Sequence, residues 1–493
     1  MLSNKKFNQY HLILSVIFTI ITGFLSFYIN RVFSNQVGQE SLGIYRLFTQ
    51  LIVYLNLAEL GVSTAAAALL YSPLHKKEYR SVSSLIYTID YFYKRIAFAV
   101  VIFGVCVNFI LPYFVDNIDI KIYLIWNILV LTTASTYLYA KYPILLSADQ
   151  NYGSVQLIRS LVKIFVLILQ VSILFVYKSF LAFILVNILS CILEYLFFRR
   201  KYISMYGDVI KHVKIINHDL ISKTKKTFIH KISAVLVFNT DYIIIAKFIS
   251  LNVVAIYSSY ILVTQFLLLI LQNIVQVIRP KIGKILSYSN NEDKYIYWES
   301  LYVINFAGSV MIVSLLYFGL SDIIYYWMGE GFQISKFTLI LIVINVFISV
   351  IRISTEIIKD VSGYFDDIYT PIIEGSMNLI LSLVLVFYFG LNGVILGTII
   401  SNIVVILILK PYLVFKNVMK CSFSNYLKQT AKNLIFSLLS LYVISFLYDY
   451  LYVNSSFSLN IIYLIILSIS VPSIVFLFNS GFKVAIFKVW NLL

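Results

Sequence analysis

The sequence predicts an all-α polytopic membrane protein with about fourteen transmembrane helices. Sixty per cent of its 493 residues are hydrophobic and only 12% are charged, and the mean hydropathy is +0.90. Average soluble domains carry about 25% charged residues. Apolar runs long enough to cross a bilayer follow one another along almost the whole chain, which leaves no room for a soluble catalytic domain.

The apolar runs give the spans in order, each about 20 residues at a rise of about 1.5 Å per residue. Lys5 and Lys6 precede a first run that is too long for a signal-peptide core, and no small-residue cleavage site follows it. We therefore expect no cleavable signal. The predicted spans are 11–33, 43–70, 89–115, 122–147, 156–177, 180–198, 228–249, 254–278, 299–320, 335–355, 372–389, 393–409, 433–450 and 458–478.

The net charge of +16 is explained by the positive-inside rule and does not require a nucleic acid partner. If the N-terminus is cytoplasmic, most of the 38 Lys and Arg residues fall in inside segments or at the helix ends that face them. The exceptions are Arg31, Arg46, Lys121, Lys178, Lys247 and Lys336. We therefore expect both termini in the cytoplasm.

The connection from Arg199 to Lys231 is dense in Lys and Arg with Ile and Val between them. This pattern is typical of an amphipathic segment on anionic lipid. It divides the chain into six spans, six spans and two more, as parallel six-helix repeats require. Short matches at nearly one offset join Ile44-Tyr45 to Ile256-Tyr257 and 182–190 to 393–401. The predicted parts are an N-lobe at 1–198, a basic cytoplasmic linker at 199–227, a C-lobe at 228–409 and two additional spans at 410–493.

The first two spans carry polar side chains along one face. On the first span they recur at steps of three or four, at His11, Ser15, Thr19, Thr22, Ser26 and Asn30. On the second span they are Thr49, Asn56, Glu59 and Ser63. Such helices cannot turn every face to lipid, so we expect this pair to line one wall of a polar, partly cationic cavity.

Charged side chains at membrane depth cost roughly 2.5–3.5 kcal/mol each on insertion scales and usually face the bundle interior. The sequence predicts a cationic substrate-binding cavity formed by Arg31, Arg46, Arg159, Lys163, Lys247 and Arg279. Its candidate carriers of a coupling ion are Asp241 and Glu59. Arg159 could instead snorkel to the interface, and Asp241 could instead pair with a basic residue on another helix.

Other charged residues are interpreted as structural. Arg352 with Glu356, and Asp90 with Lys94, are one helical turn apart and are expected to form local ion pairs. Two further carboxylates are placed near helix ends, where solvation is expected: Glu194 and Glu374.

No pattern in the sequence indicates an enzyme. We find no Gly-rich phosphate loop and no H-E-x-x-H motif, and the five His residues are scattered. Cys106, Cys191 and Cys421 lie far apart. We therefore expect no cofactor, no metal site and no disulfide framework.

One motif between the first two spans supports a family resemblance. Arg31 is followed by a G-x-E-x-x-G-x-Y pattern and by a Gly late in the second span, at Gly38, Glu40, Gly43, Tyr45 and Gly61. The stretch resembles the start of bacterial polysaccharide exporters, the O-antigen flippases of the multidrug/oligosaccharidyl-lipid/polysaccharide exporter superfamily. Two later stretches are similar to the family's second-half start and its eleventh-to-twelfth turn: 241–257 and 389–397.

The resemblance implies two six-helix lobes that form a V around a central cavity, plus two extra C-terminal helices. It implies a flippase that moves undecaprenyl-diphosphate-linked oligosaccharide across the bacterial inner (cytoplasmic) membrane by alternating access, for O-antigen, lipopolysaccharide or other surface polysaccharide biosynthesis. The implied partners are membrane lipids, a polysaccharide polymerase and a chain-length regulator, and the implied driving force is coupling to H⁺ or Na⁺.

Two alternatives remain open on the sequence. A multidrug/cation antiporter of the same superfamily should favour carboxylates over Arg and Lys in its cavity. A membrane polysaccharide polymerase should carry a large external loop, whereas the loops predicted outside are short.

Overall fold

A computed structural model confirms the all-α fold of a multi-pass membrane protein. It describes residues 2–59, 62–115, 119–149, 151–207, 215–217, 220, 240–286, 291–364, 366–367, 369–451, 457–479 and 481–482. Within these ranges, ten helices are long and apolar enough to cross a membrane. They are Ile120–Tyr139, Tyr152–Tyr177, Phe180–Tyr206, Leu251–Gln272, Glu292–Met328, Lys336–Val361, Tyr369–Phe389, Leu391–Met419, Phe423–Leu451 and Ser458–Leu477.

The chain divides into two compact units, Met1–Ala255 and Ile256–Leu493. Most of the predicted basic linker and the first half of the seventh predicted span lie outside the described residues. The predicted domain boundaries therefore stay a prediction.

The first unit is a bundle in which long helices pack side by side. Helix α1 packs along α7, α5 lies between α4 and α8, and α2 contacts α9. The helices are α1 (Leu2–Val37), α2 (Gln39–Leu55), α3 (Val62–His75), α4 (Tyr79–Val107), α5 (Ile120–Tyr139), α6 (Lys141–Ala148), α7 (Tyr152–Tyr177), α8 (Phe180–Tyr206), α9 (Asp241–Phe248) and the start of α10 (Leu251–Leu286).

The second unit is built around one central helix, α11 (Asn291–Met328), which packs on several of the other helices. Its core includes the fully buried Trp298, Tyr302 and Phe306. The other helices are α12 (Lys336–Ile351), α13 (Ile353–Val361), α14 (Tyr369–Phe389), α15 (Leu391–Ser401), α16 (Lys410–Val414), α17 (Phe423–Leu451) and α18 (Phe457–Leu477). Two π-helical segments, Asn402–Leu409 and Phe415–Met419, flank α16.

The second predicted span is wrong as one continuous helix. Helix α2 ends at Leu55, a 3₁₀ turn occupies Asn56–Glu59, and helix resumes at Val62. Asn56 and Glu59 accept hydrogen bonds from tyrosines of neighbouring helices. Gly61 lies outside the described residues, but a glycine at this point weakens a helix by about 1 kcal/mol. Short 3₁₀ stretches inside a helical path often mark functional positions.

Two glycines of the family motif are explained by backbone geometry. Gly38 has φ of +108° where α1 turns into α2, a conformation that side chains rarely adopt. Gly43 lies so close to the start of α10 that an added Cβ would overlap the backbone carbonyl of Leu251. The motif therefore encodes a sharp turn and a close helix contact inside the first unit.

Replacing Gly43 with Ala is expected to destabilise the protein by about 1–3 kcal/mol, because the obstructing atoms are backbone and cannot rotate away. The thermal melting temperature of purified protein in detergent would measure the loss. Gly308→Ala is the matched control, since nothing lies within 4 Å of its added Cβ and alanine favours helix. Equal melting of the two variants would contradict the assignment.

Candidate functional site

A cavity of about 670 Å³ lies within the first unit. Helices α3 to α8 and the 3₁₀ turn before α3 all contribute to its wall. The lining residues are Glu59, Ser63, Ala67, Tyr93, Thr136, Tyr137, Tyr139, Ala140, Pro143, Ile144, Ser147, Tyr152, Arg159 and Glu194. The volume lies within the range of small-molecule sites.

At one part of this cavity, the broken second span presents its polar residues to two tyrosines. The Tyr93 hydroxyl donates to Glu59 Oε1 at 2.9 Å, and the Tyr137 hydroxyl donates to Asn56 Oδ1 at 2.7 Å. The two phenol rings stack with centroids 5.8 Å apart. The 3₁₀ turn thus holds the Glu59 carboxylate in a fixed position on the cavity wall.

At another part of the wall, a second carboxylate has the same kind of partner. The Tyr139 hydroxyl donates to Glu194 Oε2 at 2.9 Å. Arg159 attracts this carboxylate electrostatically, and its guanidinium lies 6.0 Å from the ring centroid of Phe198. Arg159 is the one lysine or arginine among the described lining residues.

The expected position of Glu194 near a helix end is wrong. The predicted span stops at residue 198, but α8 continues to Tyr206, so Glu194 lies well inside the helix and on the cavity wall. The apolar run ends before the helix does, because α8 continues through Arg199, Arg200 and Lys201. Hydropathy alone therefore misplaced this carboxylate.

The cavity combines carboxylate and hydroxyl groups with aromatic rings and one guanidinium. Its carboxylates accept hydrogen bonds, its Ser, Thr and Tyr hydroxyls donate and accept them, and its rings offer flat apolar faces. This composition suits a polar ligand that carries many hydroxyl groups.

Three of the other predicted site residues lie near the α1–α2 turn or on α9. Arg46 Nη2 donates to Asn30 Oδ1 at 2.7 Å, and Arg31 is an exposed residue of α1. Asp241 is the first residue of α9. Of the predicted polar face, Thr22 and Asn30 are buried, whereas the side chains of His11, Ser15 and Thr19 are outside the described part of the chain.

The remaining predicted cations have separate surroundings. Lys247 Nζ donates to the backbone carbonyl of Tyr113 at 2.9 Å. Lys163 is exposed on α7. In the second unit, Arg279 pairs with Asp360 at 3.0 Å. It lines a separate pocket of about 330 Å³.

The structure therefore brings Glu59 and Arg159 into one cavity, and Arg279 into another. A single chamber that holds all six predicted cations stays a prediction. The two expected local pairs are confirmed, with 3.2 Å between Arg352 and Glu356 and 2.7 Å between Asp90 and Lys94.

A buried ion pair in the second unit was missed from the sequence. Lys410 Nζ lies 3.0 Å from Glu374 Oε2, and the two side chains are 14% and 3% exposed. The expected solvation of Glu374 is therefore wrong, because α14 packs on the π-helical segment that leads to Lys410. The sequence shows only that Glu374 lies in one predicted apolar span and that Lys410 directly follows another.

Comparison with solved structures places the fold. The chain is similar to a lipid II flippase, MurJ, in its inward closed conformation, with a TM-score of 0.70, 18% identity, and coverage of 95% of this chain and 99% of that chain. It is also similar to an inward-facing multidrug resistance MATE family transporter of the MOP superfamily, with a TM-score of 0.64, 14% identity, and coverage of 80% and 96%.

A variant of the Vibrio cholerae MATE transporter VcmN matches with a TM-score of 0.52, 14% identity, and coverage of 85% of this chain and 99% of that chain. No protein-family model matches the sequence, and no curated protein sequence matches it. The chain has the fold of MOP-superfamily transporters, so the family resemblance found in the sequence is confirmed at the level of the fold.

Proposed function

We propose that the chain is a flippase and not an enzyme. In this proposal it moves undecaprenyl-diphosphate-linked oligosaccharide repeat units across the bacterial inner membrane by alternating access, with both termini in the cytoplasm. Its product would serve synthesis of O-antigen or another surface polysaccharide. The observation that carries the proposal is the polar, tyrosine-lined cavity in the first unit of a MOP-type fold.

The cavity fits the sugar part of such a substrate. Sugar rings have apolar faces that pack on aromatic side chains, and their hydroxyls pair with carboxylates and other hydroxyls. The tyrosines at 93, 137, 139 and 152 line the cavity together with Glu59 and Glu194. At about 670 Å³ the cavity holds a drug-sized ligand, and the prenyl chain would stay in lipid.

The diphosphate of the substrate needs cations to bind it, but the binding must be weak enough for the substrate to be released. Arg159 lines the cavity, and Lys163 lies one turn further along α7 and is exposed. Guanidinium groups bind phosphate oxygens in a bidentate fashion, and a small number of cations attracts the diphosphate without trapping it. Glu59 is our candidate carrier of a coupling H⁺ or Na⁺.

One observation favours a second candidate, a multidrug/cation antiporter. The described lining of the cavity contains two carboxylates and one arginine, and MATE transporters share the fold. The two proposals differ in the charge of the substrate. A cationic dye that is transported, with no movement of a lipid-linked oligosaccharide, would favour the antiporter.

Replacing Arg31 or Lys163 with Ala is expected to reduce export of surface polysaccharide about tenfold or more, because each loses a charge that attracts the diphosphate. Export would be measured in cells that carry the variant as their sole copy, with the amount of protein in the membrane checked by immunoblot. Arg31→Lys should be milder than Arg31→Ala if charge alone matters.

The matched control is Lys94→Ala, which removes a cation that is 62% exposed and already paired with Asp90. It should leave export unchanged. Normal surface polysaccharide in both the Arg31 and Lys163 variants would contradict the proposed cationic path.

A further inference from the structure

An apolar groove runs along the outside of the first unit, between α7 and α8. It has a volume of about 320 Å³ and is lined by Ile158, Leu161, Val162, Phe165, Leu193 and Phe197. Its floor is the buried Val162, while Leu161, Phe165 and Phe197 are each about half exposed. A slot of this shape on a spanning helix pair accommodates a hydrocarbon chain.

Two cations continue the same face of α8 beyond the groove. Arg200 follows Phe197 by three residues and Lys201 follows it by four, so all three lie on one side of the helix. Helix α8 begins at Phe180, and twenty residues at about 1.5 Å each place Arg200 about 30 Å further along, at the opposite membrane interface. Neither cation forms an ion pair with a described residue.

The spacing between the groove and the two cations matches the spacing between the acyl chains and the phosphate of a phospholipid. Phe197 and Leu193 lie three and seven residues before Arg200, so along α8 the groove extends from about 5 Å to about 10 Å below the cations, toward the hydrocarbon layer. A chain in the groove would carry its phosphate level with Arg200 and Lys201. Helix α7 begins at Tyr152 on this same side of the membrane, and helix N-termini also favour anions.

We propose that this groove, with Arg200 and Lys201, binds one anionic phospholipid of the bilayer. An acyl chain lies against Val162, and the lipid phosphate lies between the two cations. Basic sites at the ends of spanning helices select anionic head groups in this way. The site is separate from the tyrosine-lined cavity and does not depend on the transported substrate.

The test is native mass spectrometry of the purified full chain with added phosphatidylglycerol or phosphatidylethanolamine of identical chains. We expect one equivalent of phosphatidylglycerol to bind more tightly than phosphatidylethanolamine. Each charge contributes about fivefold in affinity, so Arg200→Gln should weaken binding about fivefold and the double variant Arg200→Gln/Lys201→Gln about 25-fold.

Matched variants separate the charge from the groove. Arg199→Gln removes an adjacent arginine whose guanidinium lies 5.8 Å from the ring centroid of Tyr195, and it should leave binding unchanged. Leu161→Trp fills the groove and should abolish binding, whereas Ile168→Trp, two turns further on the same lipid-facing side and similarly exposed, should not.

Three results would overturn the proposal. They are equal binding of the two phospholipids, equal loss in the Leu161 and Ile168 variants, and full binding by the double charge variant. Displacement of phosphatidylglycerol by an equal amount of undecaprenyl phosphate would also overturn it, because the occupant would then be the carrier lipid.

Discussion

Replacing Lys410 with Met is expected to destabilise the protein by about 3–5 kcal/mol, because Glu374 would be left as an unpaired carboxylate that is 3% exposed. Removing one partner of a buried ion pair lowers the free energy of unfolding by far more than the intact pair contributes to it. The double variant Lys410→Met/Glu374→Leu removes both charges together. It should recover most of the lost stability. The melting temperatures of the unchanged protein, the single variant and the double variant, each purified in nanodiscs, would measure this.

An exposed pair provides the control for this experiment. Lys94→Met breaks the pair with Asp90, but Lys94 is 62% exposed and Asp90 keeps Lys141 at 2.7 Å. Its effect on stability should stay below about 1 kcal/mol. A Lys410 variant that melts like the unchanged protein, or a double variant that melts no higher than the single one, would show that the Glu374–Lys410 contact does not stabilise the second unit.

The sequence predicts ion pairs within one helix but not ion pairs between helices. Arg352 and Glu356 are one helical turn apart, so helix periodicity alone brings them together, and the structure confirms the pair. Lys410 and Glu374 lie on different elements, and their contact depends on how these elements pack. Periodicity identifies which face of its own helix a residue occupies. Which other helix packs against that face depends on tertiary packing, which the sequence pattern does not give.

The candidate cavity shows the same division. The sequence predicts that Glu59 and Ser63 share a polar face, and both line the cavity. Tyr93, Tyr137 and Tyr139 carry no comparable signal, because tyrosines are frequent throughout this chain and belong equally to lipid-facing belts. Their role follows from the hydrogen bonds to Glu59, Asn56 and Glu194, which only a folded bundle creates.

The two cavity carboxylates differ in the charge around them, and this difference is why our proposal assigns the coupling ion to Glu59 and not to Glu194. Both accept a tyrosine hydroxyl at 2.9 Å. Arg159 attracts Glu194 electrostatically, and the described lining offers no second lysine or arginine for Glu59. A carboxylate with no fixed cation on the same wall attracts a mobile cation more strongly.

Replacing Glu59 with Gln is therefore expected to abolish gradient-driven transport while the Tyr93 hydroxyl keeps a neutral acceptor. One elementary charge moving through 100 mV supplies about 2.3 kcal/mol, or roughly 50-fold accumulation, and this factor should be lost. Glu194→Gln is the matched control, which should bind substrate less tightly but keep its response to the potential. Vesicles with reconstituted protein, a labelled lipid-linked oligosaccharide and an imposed potential would measure both. If the Glu59 variant still responds to the potential and the Glu194 variant does not, the two roles are reversed, and the fixed positive charge of Arg159 is then part of the coupling step.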